Sequence, residues 1–166
     1  MKRVVSILGL LLLLQVKAMA SPLNYDEMIL LDAEDLAETG LKEAYDALLP
    51  QLRRYTPNPV SIVEHIDSDR PRYAISAGGS EYVIYEELTH ETEADSWARA
   101  TWALFTIVNK QLLNSGIRFY AINGGNDLGG MFLTEKQVKD AVRSLPRKTD
   151  WPYIPTDQRP WYGQQH

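Results

Sequence analysis

The stretch Ile117–Thr134 reads I-R-F-Y-A-I-N-G-G-N-D-L-G-G-M-F-L-T. Two short apolar runs, each holding an aromatic residue, flank a segment with four glycines, Asn123, Asn126 and Asp127. This pattern predicts strand, polar loop, strand. It also makes the loop the first candidate for contact with a ligand or partner, because loops on a rigid frame carry function more often than core positions do.

Just upstream, residues 93–114 have helical periodicity. Trp97, Thr101, Leu104, Val108 and Leu112 form one stripe, and Trp102, Phe105, Ile107 and Leu113 widen it well beyond a single face. Such a surface predicts a central helix buried against a sheet. Thr92 is placed to cap it, Glu93 and Asp95 fall in its positive first turn, and Ser115-Gly116 stops it. Downstream, Thr134 followed by Gln137 is a capping-box pattern that opens a short amphipathic helix through Val138, Ala141, Val142 and Leu145, closed by Pro146.

The earlier part of the chain is organised the same way. Residues 60–66, 72–76 and 81–85 read as three strands, and Gly78-Gly79 marks a tight hairpin between the last two. A helix is expected from Asp32 to Leu49, weakened at Gly40 and ended or kinked by Pro50. Thr56-Pro57-Asn58-Pro59 is a connector, and residues 21–31 read as an arm. The expected order is α-βββ-α-ββ-α, a two-layer α+β domain over residues 21–146 with a mainly antiparallel sheet of about five strands. Residues 147–166, with Pro152, Pro155 and Pro160 among Trp151, Tyr153, Trp161 and Tyr162, form an irregular aromatic tail.

Residues 1–20 read as an export signal. Lys2 and Arg3 precede an apolar run from Val4 to Leu14, and Ala18-Met19-Ala20 is a small-x-small cleavage site. The run is shorter than the roughly 20 residues a membrane span needs. Removing Lys2, Arg3 and Lys17 with the leader takes the net charge from −5 to −8. So acidic a chain favours a basic protein partner and disfavours nucleic acid, which selects clustered Lys and Arg. Cysteine is absent, which excludes a disulfide framework and makes a periplasmic location the expected one.

Chemical motifs are few. The 123–130 loop offers oxygens for calcium but lacks the alternating acids and closing glutamate of an EF-hand. It also lacks the lysine and following helix of a phosphate loop. His90, in the acidic run Glu86-Glu87-Leu88-Thr89-His90-Glu91, is the candidate base of a small hydrolase with Glu87 or Asp127, although Ala94 stands where a second zinc-binding histidine would be. Ser76, Ser80 and Ser96 have no nucleophile context, and no Gly-x-Ser-x-Gly occurs. No cofactor and no catalytic residue is selected. The residues placed best for binding are Asn123, Asn126, Asp127, Trp151, Tyr153, Trp161 and Tyr162, because rigid aromatics dominate protein interfaces.

The runs F-Y-A-I-N-G-G-N-D-L-G-G-M-F-L-T, D-W-P-Y-I-P-T and P-W-Y-G-Q, at 119–134, 150–156 and 160–164, resemble small bacterial immunity-type proteins of secreted antibacterial toxins, including those of type VI secretion. The resemblance covers the second half of the chain. It implies a compact, non-catalytic domain that binds one cognate toxin tightly. Joined to the export signal, it implies a toxin acting in the periplasm. The competing expectations are the His90 hydrolase and a small-ligand or calcium-binding module at the 123–130 loop.

Overall fold

The computed structural model describes residues 22–87 and 92–166. The leader expected over residues 1–20, and His90, lie outside them. In chain order the elements are β1 (Ile29–Leu30), α1 (Ala33–Asp35), α2 (Leu41–Leu52), β2 (Ile62–Asp67), β3 (Arg72–Ala77), β4 (Ser80–Glu86), α3 (Glu93–Gln111), β5 (Ile117–Ile122), β6 (Gly129–Thr134) and α4 (Glu135–Ser144). The chain is α+β, with antiparallel pairing throughout. Among the described residues, no helix is long and apolar enough to cross a membrane.

The sheet differs from expectation. Instead of one sheet of about five strands there are two of three, ordered β2-β3-β4 and β1-β6-β5. The reason lies at the free edge of β5, where every outward-facing backbone group is already engaged. Asn109 of α3 donates from Nδ2 to the Phe119 carbonyl and accepts from the Phe119 N–H at Oδ1, both at 2.8 Å. Ala121 exchanges two backbone bonds with Tyr153 of the tail, at 2.8 and 3.0 Å. The Ser115 hydroxyl takes the Ile117 N–H at 3.1 Å. An edge satisfied this way cannot template another strand. On the other side, α3 sends Arg99 Nε to the Ile84 carbonyl of β4 at 2.9 Å. The central helix thus bonds to a strand of each sheet.

The element order also differs at the start. The arm contributes the extra strand β1, whose Ile29 and Leu30 pair with Gly130 and Gly129. The helix expected from Asp32 is broken. Asp32 caps one turn by accepting from the Glu34 and Asp35 N–H groups at 2.8 and 3.3 Å. The chain then passes through Thr39 at φ 80° and restarts at Leu41. A Cβ on Gly40 would lie 2.5 Å from the Asp35 carbonyl oxygen, so glycine here is a steric requirement of the break rather than a weak point in a helix. Pro50 does not end α2, which runs on to Leu52. Placed in the last turn, proline leaves only the bond to the Asp46 carbonyl unmade.

Local signals hold elsewhere. Gly78 and Gly79 turn the β3–β4 hairpin at φ 55° and 78°. Thr134 and Gln137 make the reciprocal box that starts α4, with Thr134 N–H to Gln137 Oε1 at 2.9 Å and Gln137 N–H to Thr134 Oγ1 at 3.2 Å.

β5 and β6 are apolar on both faces. Phe119, Ala121 and Phe132 face the main core with α3, whereas Ile122, Met131 and Leu133 pack with Ala141 of α4. Phe119 stacks on Phe105 with ring centroids 4.5 Å apart and the planes 16° from parallel. A Cβ on Gly130 would come within 2.1 Å of the Phe119 ring, and one on Gly129 within 2.6 Å of the Met28 sulfur. These two glycines belong to packing in β6, not to the loop.

Candidate functional site

The loop that remains is Asn123–Leu128, and the tail folds back onto it. Asn123 adopts φ 57°, a left-handed conformation asparagine tolerates better than most residues. Its carbonyl accepts from the Tyr153 hydroxyl at 2.8 Å. Tyr153 is buried, and that burial pushes its hydroxyl up to about 12. Tyr153 therefore ties the tail to β5 through two backbone bonds at Ala121 and to the loop through one from its side chain. Trp151 is fixed separately, its indole N–H donating to the Leu145 carbonyl at 3.1 Å.

The last part of the tail is held by α3. Asp95, whose side chain is 12 % exposed, accepts from the Tyr162 hydroxyl at 2.6 Å and pairs with Arg159 at 2.9 Å. It also accepts from the Thr92 N–H and hydroxyl at 2.9 and 2.8 Å. The Tyr162 hydrogen bond, helped by Thr92 and then Arg159, holds the Asp95 carboxyl down to about 2. The Tyr162 hydroxyl moves up, chiefly through desolvation and then through Asp95. Gly163, at φ 97°, closes the turn where a Cβ would lie 2.5 Å from the Ile154 carbonyl oxygen.

Between loop, α3 and tail opens a cleft of about 260 Å³, walled by Trp97, Gly124, Leu128, Tyr153, Trp161 and Tyr162. Its inner wall is anchored, whereas Trp161 is 56 % exposed at the mouth, with its ring against His166 at 3.9 Å between centroids. Of the residues singled out in sequence, Tyr153, Trp161 and Tyr162 line this cleft, and Asn123 is bonded to its wall. Trp151 is a structural clamp beside α4. Asn126 and Asp127 are exposed on the loop's outer side.

Asn126 borders a second, larger groove of about 710 Å³ beside α1 and α2. Its Nδ2 donates to Glu34 at 2.8 Å. Asp32, Asp35, Glu38 and Glu43 line this groove, and no Lys or Arg does. Nearby, the carboxylates of Glu34, Glu38 and Glu93 lie within 4.8 Å of one another, the one group of three acids among the described residues spaced to hold a cation. The 123–130 loop touches that group through the Asn126 Nδ2 bond to Glu34, whereas its Asn123 carbonyl accepts from Tyr153.

Sequence reasoning missed Asp95, Arg159 and the 29–47 groove. A capping aspartate and a tail arginine give no local sign that they will meet across 64 positions. Of the hydrolase residues, His90 lies outside the described residues, and its two candidate partners stand apart. Glu87 lies past the end of β4 beside Arg72 and Pro71, and Asp127 lies in the loop next to α1. No protein-family model, curated protein or solved structure matches this chain.

Proposed function

We propose that this chain is an exported domain that binds a protein partner, acting as an immunity-type inhibitor of a secreted toxin in the periplasm. The observation that carries the reading is the cleft at Trp161. Its aromatic wall is immobilised by Tyr153 and by the Tyr162–Asp95–Arg159 cluster, while one tryptophan stays exposed at the mouth. Rigid aromatics beside a pocket contribute most to protein interfaces, because little side-chain entropy remains to be lost on binding. The acids of the adjoining groove suit a basic partner and would raise its association rate.

The test is protection. Cells that export the toxin encoded next to this chain's gene into their own periplasm should survive when the chain is co-expressed and lyse when it is absent. Trp161→Ala should abolish most of that protection. An unaltered chain that gives no protection, or a gene neighbourhood without a secreted toxin, sinks the reading.

A further inference from the structure

The 710 Å³ groove has one wall that is not a side-chain surface. Along it runs β1, the outermost strand of the sheet β1-β6-β5. Ile29 pairs with Gly130, and the Leu31 N–H donates to the Leu128 carbonyl at 2.9 Å. In an antiparallel ladder the residues alternate in direction. The backbone N–H and C=O of Leu30 therefore point away from β6, into the groove, with no partner among the described residues. The Leu30 side chain is 79 % exposed, the most of any large apolar residue among those described. The edge of β5 is closed by Asn109, Tyr153 and Ser115, whereas that of β1 is open. An unpaired edge with an apolar side chain is a template for an added strand.

The opposite wall sets the chemistry of that strand. Ala44 and Ala47 of α2 leave room, and Asp35, Glu38 and Glu43 supply negative charge without a cationic partner among the described residues. We infer that β1 is a docking edge for an extended, basic segment of the protein partner, which adds to the sheet as a fourth strand. Main-chain bonds to Leu30 would give register, and Lys or Arg at alternate positions would face Asp35, Glu38 and Glu43. The inference rests on the protein-binding reading above and adds the class of segment that is bound.

The test uses the chain as it stands after residue 20 and a short capped peptide alternating lysine and valine, titrated while backbone amide resonances are followed. The basic peptide should shift the Leu30 and Asp32 amides, and its glutamate-for-lysine counterpart should not. Leu30→Pro removes only the outward N–H and should weaken binding about tenfold. Glu38→Lys with Glu43→Lys lies on the surface and should weaken it at least as much, which keeps the test decisive should the proline variant fail to fold. Amides that do not move, or equal affinity for the unaltered chain and the charge-reversed variant, overturn the inference. Protection that survives such a failure leaves the immunity reading standing with the aromatic cleft alone. Peptide binding without protection sinks the immunity reading and leaves the docking edge.

Discussion

Two residues show how little substitution the frame around the cleft tolerates. Gly130 lies under Phe119, where a Cβ would approach the ring to 2.1 Å. Gly130→Ala must push that ring off Phe105 and Phe132, and overpacking of this kind costs about 1–3 kcal/mol. Thermal unfolding should show the loss as a lower Tm, while Gly79→Ala, with nothing near its Cβ, should lose only the turn's backbone preference. Asp95 is the second. Its carboxyl lies below the usual 3.8, at about 2, when the tail is docked. The stability it lends is therefore fully present above 3.8 and is lost as pH falls toward 2. Trp161 fluorescence should report release of the tail across that window. Asp95→Asn should flatten the transition and leave the tail looser at neutral pH. A transition of the same size in the variant would assign the effect to other carboxylates.

At the scale of elements, α3 decides the architecture. Its amide at Asn109 satisfies both backbone groups of Phe119, and Asn109→Leu would leave that pair buried and unbonded. An unmade buried bond costs roughly 1–3 kcal/mol per group, so with two groups denaturant unfolding should show a loss of about 2–6 kcal/mol with the m-value unchanged. Leu112→Ala at the foot of the same helix is a plain cavity change and should cost about 2–5 kcal/mol. The helix itself was readable in sequence, because its wide apolar surface, its cap at Thr92 and its stop at Gly116 are local signals. So were the Gly78-Gly79 hairpin and the Thr134–Gln137 box. The division into two sheets was not. It depends on Asn109 meeting Phe119 and on Tyr153 meeting Ala121, and hydrophobic periodicity carries no record of such side-chain and tail closures. β1 was equally silent, since two residues are too few to show alternation.

At the scale of the whole molecule, the two candidate surfaces adjoin, Ala33 lining the aromatic cleft and its chain neighbour Asp32 the acidic groove. The aromatic cleft and the acidic groove are separated by α1 and the Asn126–Glu34 bond, so one partner can span both. The individual cleft aromatics were legible in the sequence as large rings in a proline-rich tail. Their convergence on the glycine loop was not, because it is made by Tyr153 and by Asp95, whose partners lie 30 and 67 positions away. A surface of this kind predicts strong salt dependence of the association rate and weak dependence of dissociation. Calorimetric titration of the chain with the toxin encoded beside it tests the central claim most directly. Tight one-to-one binding, weakened at least a hundredfold by Trp161→Ala, is the expected result. No binding, or binding that the Trp161→Ala variant retains in full, would contradict it.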